Sequence, residues 1–287
     1  MEIALVSSVN GIVLSAIYIM VALGLALLLS IMGIFNFAHG AIYMVGAFLT
    51  YGLAKGAGIN QWAALVMAMA VMGGFGLLLE RFCFRPFAGK AFQVIVLSVA
   101  LILILETTVV VTVGGSNRAL PAFIPGSVKI AGASLSLDRI MTVGIGIVLL
   151  TLLTLLVNKT RIGQQMLAVS QDREGAALQG INVNRTAAIA TAIACILATL
   201  SGSLMCSLYF LGPFMGDNML MKAIEVVILS GIGSFGGILV GGLIIGFMDA
   251  VLPVVMNPLA AQAITIGIII LILLIRPRGL FGYELFE

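Results

Sequence analysis

The 287-residue chain is 62% hydrophobic and only 9% charged, with a mean hydropathy of +1.25, which excludes an ordinary soluble domain and points to a polytopic membrane protein. A net charge of +3 is too small to suggest nucleic acid as a partner. Three cysteines and a single histidine offer no metal-ligand cluster, so neither a metal nor another cofactor is expected.

In chain order, Met1, Glu2 and Ile3 lack the basic region of a cleavable signal peptide, and the first apolar stretch reads as a retained transmembrane helix. Apolar stretches at residues 11–32, 41–54, 62–79, 92–113, 140–157 and 186–209 predict six crossings, all but the second near the length that spans about 30 Å of hydrocarbon. Between the first two lies a polar, glycine-marked break at residues 33–48, which holds the histidine. Asn36 and His39, three residues apart, are predicted to share one helix face. Gly33 and Gly40 bracket them where a membrane helix can unwind. Two readings stand for this pair: a structural one, bonding to carbonyls freed by the kink, and a functional one, bordering a translocation path.

Basic residues follow the third stretch (Arg81, Arg85, Lys90), the fifth (Lys159, Arg161, Arg173, Arg185) and the last (Arg276, Arg278), nine of the fourteen in all. Lys55, Arg118, Lys129, Arg139 and Lys222 fall on the opposite side of an alternating model, so the nine are assigned to the cytoplasm and the N-terminus to the outside. The outer segment at residues 114–139 alternates like a small hairpin around an Ala131-Gly132 turn. The inner segment at residues 158–185 mixes charged and apolar residues, as short amphipathic helices ended by Gly180 would.

Residues 225–252 carry seven glycines and are expected to break near residues 233–237, because one continuous crossing there would leave Arg276-Pro277-Arg278 outside. Gly33-Ile34-Phe35-Asn36-Phe37 and Gly231-Ile232-Gly233-Ser234-Phe235 agree at four of five positions when Asn and Ser are counted alike. That agreement reads either as an internal repeat with paired interruptions or as chance. The expected fold is therefore an all-α bundle of about eight transmembrane segments with broken or re-entrant helices, forming one domain over residues 1–287.

Catalytic signatures are missing. Gly89-Lys90 is followed by Ala91 and lacks the glycine of a phosphate loop, and there is no His-Glu-x-x-His pattern or serine elbow. Intramembrane ionisable residues point to function by default, which singles out Glu106 and Asp249. For Glu106 the structural alternative is bonding to Thr107 or Thr108; Asp249 reads as a helix-end residue, and Glu225 as a helix start favoured by the dipole. Cys195 and Cys206 lie eleven residues apart in one predicted helix, too far to bridge, and all three thiols read as free. Trp62 reads as an interfacial anchor.

Four motifs then converge: Asn36-Phe37-Ala38-His39-Gly40, the loop at residues 172–182, the glycine-rich 231–237 and Arg276-Pro277-Arg278-Gly279-Leu280-Phe281-Gly282. Over nearly its whole length the chain resembles the LivH-type permeases of branched-chain amino acid ABC importers. The resemblance implies a permease subunit, not an enzyme, multi-pass in the bacterial inner (plasma) membrane and surrounded by membrane lipid. It would pair with a homologous second permease, two cytoplasmic ATPase subunits and a soluble substrate-binding protein. The two breaks, by their shared pattern, are expected to lie close together and to border the translocation path through Asn36, His39, Gly40, Ser234 and Phe235, with Glu106 as an intramembrane carboxylate beside it, and residues 164–180 are expected to form an ATPase-coupling element using Arg173, Glu174, Ala176, Ala177 and Gly180. Ala41 departs from the many relatives that carry a glutamate after the His-Gly pair, which leaves urea, amides or aromatic acids beside branched-chain amino acids as substrates. The competing reading is a self-sufficient secondary transporter or channel working through Glu106.

Overall fold

The computed structural model describes residues 2–33, 35–130, 133–231 and 233–281. Within them run eleven α-helices and one hairpin: α1 (Glu2–Met32), α2 (His39–Tyr51), α3 (Gln61–Leu78), α4 (Ala91–Val113), β1 (Ser127–Ile130), β2 (Ala133–Ser136), α5 (Leu137–Lys159), α6 (Arg161–Gln171), α7 (Arg173–Leu178), α8 (Val183–Leu208), α9 (Met215–Ser230), α10 (Phe235–Val255) and α11 (Pro258–Ile275). Seven helices are long and apolar enough to cross a membrane, and the protein is multi-pass. The α2 and α9 helices, of 13 and 16 residues, complete the set as shorter pieces. The expectation of about eight segments thus resolves into seven full spans and two short ones.

Short polar residues set the helix starts. Asn60, Ser136, Thr160, Asp172, Asn182, Ser234 and Asn257 each accept a hydrogen bond from a backbone N–H of the first turn of α3, α5, α6, α7, α8, α10 and α11. The α1 helix is apolar on every side, a pattern that suits either lipid or a central position. It takes the centre: Ile17, Val21 and Leu28 are fully buried, and α5, α8, α9 and α10 pack around it. By contrast α4 and α11 present Val111, Leu271 and Leu274 outward, each more than half exposed.

Contacts order the helices into two ends. Gly11 lies against Phe247, Ser15 against Gly246 and Ile19 against Gly242, so α1 and α10 are antiparallel. Gly73 meets Ile196 and Gly76 meets Thr191, so α3 and α8 are antiparallel too. One end gathers the close of α1, the close of α5, α6 and Gly233 around a small shared cavity. Cations assigned to the cytoplasm collect at this end: Lys159 and Arg161 at the α5–α6 junction, Arg173 at the start of α7, Arg185 at the start of α8, and Arg276 and Arg278. The other end holds the hairpin, with Val128 opposite Leu135, pinned where Asp138 accepts from the N–H groups of Phe123 (2.9 Å) and Ile124 (3.2 Å). The expected Ala131-Gly132 turn lies outside the described residues. Trp62 stacks obliquely on Phe123, 5.0 Å between ring centres, at this same end.

Candidate functional site

Both predicted breaks exist, and each opens on a glycine with positive φ, Gly33 at 69° and Gly231 at 90°. After Met32 the chain doubles back. His39 opens α2 with its Nε2 3.2 Å from the Val21 carbonyl oxygen, eleven residues up α1, so the segment retraces about 16 Å of that helix. The break therefore interrupts a crossing: α2 starts at depth and runs on alongside α8, with Gly46 against Thr199 and Thr50 bonded to Ser203, toward the hairpin end. Asn36 does not share a helix face with His39, which corrects that expectation. It precedes the helix, accepts from Ala38 N–H through Oδ1 (3.1 Å), and its own carbonyl accepts from His39 N–H. The competition between an Asn side chain and the helical ladder explains the difference.

His39 is fully buried, and a Cβ on Gly24 would come within 2.9 Å of its ring. Donation from Nε2 to Val21 leaves Nδ1 an acceptor without a partner. Asn36 Nδ2 and Tyr43 Oη are likewise buried and unpartnered. Three of the seven such atoms among the described residues thus sit on residues 36–43. His39 and Tyr43, at i and i+4, lie on one face of α2. Gly40 meets Gly216 backbone to backbone where α2 crosses α9, and a Cβ on either glycine would land on the other's carbonyl oxygen.

At the second break, Ser234 is 6% exposed and caps α10, accepting from Gly237 N–H (3.0 Å), while Phe235 is the first helical residue. The C-terminal motif docks on this break: Leu280 N–H donates to the Leu229 carbonyl (2.9 Å) and Phe281 N–H to that of Ser230 (3.0 Å). Two motifs distant in sequence are one structural unit. Ile34, Ile232 and Gly282, which belong to the expected motifs, lie outside the described residues. What the two breaks share is α1, since Gly233 faces Leu27, Ser30 and Ile31.

Glu106 is 8% exposed on α4, and its carboxylate interacts with that of Asp217 in the first turn of α9. Its expected hydroxyl partner Thr108 instead donates back to the Ile104 carbonyl (2.6 Å), the usual recourse of a threonine inside a helix.

Glu225 and Asp249 are not helix-end charges. Lys222 Nζ lies 3.1 Å from Glu225 Oε2 and 3.1 Å from Asp249, and Tyr18 Oη donates to Asp249 Oδ2 at 2.9 Å. The three charged side chains are only 14–16% exposed. Lys222, counted in sequence among the outer loop cations, is a member of an ion network joining α1, α9 and α10. The signal available in sequence was the i, i+3 spacing of Lys222 and Glu225 inside an apolar window. A cavity of about 450 Å³ opens beside this network, lined also by Tyr43, Asn218 and Gln262.

At the opposite end, α6 and α7 form an elbow. Asp172 Oδ1 accepts from the N–H groups of Glu174 and Gly175 (both 3.0 Å), and Gly180 closes α7 through Gly180 N–H to Ala177 O (3.0 Å) and Ile181 N–H to Ala176 O (3.1 Å). Ala176 is 5% exposed and faces the bundle, whereas Leu178 is 88% exposed and Arg173, Glu174 and Ala177 face outward with it. All three cysteines are free.

A family model described as branched-chain amino acid transport system, permease component, matches residues 7–274. The high-affinity branched-chain amino acid transport system permease protein LivH of Salmonella typhimurium is 28% identical, over 95% of this chain and 94% of that one. The corresponding BraD of Pseudomonas aeruginosa is also 28% identical, over 96% and 94%. A probable LivH of Methanocaldococcus jannaschii is 26% identical over 96% and 91%. Among solved structures, PsaBC from Streptococcus pneumoniae in complex with Fab superposes with a TM-score of 0.51 over 92% of this chain and 89% of that one, at 15% identity, a likeness of fold alone. The family match takes in nearly every membrane helix described above, and the chain belongs to the branched-chain amino acid ABC transporter permeases.

Proposed function

We propose that this protein is the permease subunit of a binding-protein-dependent importer in the bacterial inner membrane, moving branched-chain amino acids or a related small polar solute inward. Two cytoplasmic ATPase subunits drive it, a second homologous permease completes the pathway, and a soluble binding protein delivers solute to the outer end. The whole of residues 1–287 serves as one permease domain. Asn36, His39, Gly40, Ser234, Phe235 and Glu106 border the path, the first three through the segment that folds back along α1.

The observation that carries the reading is the α6–α7 elbow. A six-residue helix that buries Ala176 in its own subunit while turning Leu178 outward at 88% exposure is built to be covered by something else. It stands at the end where the cations collect, which the charge rule puts in the cytoplasm. Arg173, Glu174, Ala177 and Gly180 flank the exposed leucine, a small surface with charges at its rim, as a groove on an ATPase subunit requires. A self-sufficient transporter has the Glu106 and Asp217 carboxylates in its favour and leaves the elbow without a role.

The test is Ala177→Trp in the reconstituted complex. Ala177 is exposed, so the fold is unaffected, while overpacking a docked contact costs about 1 to 3 kcal/mol. Uptake should fall about tenfold or more relative to ATP hydrolysed. Wild-type uptake and wild-type ATPase retention on purification would overturn the assignment, and absence of any co-purifying ATPase from native membranes would favour the self-sufficient transporter.

A further inference from the structure

The cavity beside the ion network lies apart from the coupling elbow and from the second break, meets the first only through Tyr43 of α2, and its chemistry is specific. Lys222 Nζ carries three N–H donors and spends two of them, on Glu225 and Asp249, leaving one unassigned. One cation against two carboxylates leaves the cluster a formal charge of −1. Charges held 14–16% exposed within a lipid-embedded bundle are costly unless they serve a purpose beyond packing. Tyr43 provides an independent observation. It is 1% exposed, it lines the cavity, and its hydroxyl has no partner. A buried hydroxyl without a hydrogen bond is destabilising, which calls for an occupant. The remaining wall is rich in methionine: Met205, Met215, Met219 and Met221. Thioether side chains adapt to aliphatic groups of differing shape.

We propose that this cavity binds the solute itself as a zwitterion, within one permease subunit and on the outer side of the breaks. The ammonium group offsets the excess negative charge at Asp249 and Glu225. The carboxylate accepts from the remaining Lys222 N–H and from the Tyr43 hydroxyl, and the aliphatic side chain lies on the methionines. A volume of about 450 Å³ is in the range of small-molecule sites. A simple cation satisfies only the first demand, and a simple carboxylate only the second. A free aliphatic α-amino acid satisfies all three. The inference rests on the importer reading for the class of solute, and goes beyond it in locating a binding step inside this chain.

The experiment measures equilibrium binding of radiolabelled L-leucine to the purified permease–ATPase complex in nanodiscs, with no binding protein added. Competitors are isoamylamine, which has only the ammonium group, and 4-methylpentanoate, which has only the carboxylate. Saturable leucine binding is expected, with each competitor at least about tenfold weaker. Tyr43→Phe should weaken leucine binding about 10- to 150-fold, the effect of one hydrogen bond to a charged group, while its thermal midpoint stays equal to or above wild type because the hydroxyl lacks a partner within the protein. The paired neutral exchange Lys222→Gln with Asp249→Asn should abolish binding. Absence of saturable binding, Tyr43→Phe with unchanged affinity, or isoamylamine binding as well as leucine would each overturn the site. Binding-protein-dependent, ATP-driven leucine uptake in proteoliposomes is read in parallel. Uptake by wild type without direct binding rejects this inference and keeps the importer; loss of ATP dependence rejects the importer.

Discussion

Replacing Gly40 by alanine adds one methyl group where α2 crosses α9, and the structure makes that methyl expensive. A Cβ there would lie on the Gly216 carbonyl oxygen, 2.9 Å from the Gly216 carbonyl carbon and 2.8 Å from Leu220 Cβ. The first two are backbone atoms, so no rotamer change relieves them, and the cost belongs at the upper end of the overpacking range, about 3 kcal/mol. Alanine's better helix propensity returns at most about 1 kcal/mol, for a net loss of about 2 kcal/mol. Gly74 on α3 is the control, because a Cβ there meets nothing within 4 Å and alanine should gain up to about 1 kcal/mol. The two variants should differ by about 3 kcal/mol, or about 6–12 °C at 2–4 °C for each kcal/mol. Heating detergent-solubilised, fluorescently tagged protein and following the monodisperse peak by size-exclusion chromatography measures both midpoints. Equal midpoints for Gly40→Ala and Gly74→Ala would refute the crossing. Gly216→Ala should behave like Gly40→Ala, and the double variant should cost less than the sum, since both methyl groups invade one contact.

Asp138→Ala removes the acceptor shared by the Phe123 and Ile124 N–H groups, leaving two backbone donors unmatched; limited proteolysis from outside should cut residues 118–137 faster, and an unchanged cleavage rate would contradict the pinning. Deleting residues 127–136, the hairpin, should abolish binding-protein-dependent uptake while the complex still assembles, and normal transport by the deletion would remove the loop from solute delivery. A cysteine introduced at Tyr283, outside the described residues, should resist a membrane-impermeant maleimide applied to intact cells, because Leu280 and Phe281 hold the preceding chain at the cation-rich end; ready labelling would invert the topology.

Glycine patterning made the interruptions legible. Gly33 and Gly231 mark places where a side chain is disfavoured and the ladder stops, a local property that sequence carries directly. The same holds for Gly180, and for the hairpin, whose alternation is visible over ten residues. The ion network was not legible. Lys222 reaches Asp249 across 27 positions and Tyr18 reaches it across 231, so each charge, seen only against its apolar neighbours, resembles an isolated end residue. Asn36 failed for another reason: spacing of three suggests a shared helix face only if both residues are helical, and asparagine's side chain instead holds the Ala38 N–H in a turn ahead of α2, which starts only at His39.

The brevity of α2 bears on how the protein is made. Its thirteen residues run on through a π turn at Gly52–Gly56 to about 27 Å of helix, just short of the roughly 30 Å of hydrocarbon, and it opens on the polar His39 at depth, so α2 is poorly suited to settle in lipid as an independent span. Its buried surface is completed by α8 and α9, yet α8 begins at residue 183, long after ribosomes have passed residue 51. During synthesis α2 is therefore expected to complete its packing only once α8 and α9 have followed it. Nascent chains arrested before residue 183 should therefore be targets for membrane proteases, and maturation of the whole bundle is gated by the arrival of α8 and α9.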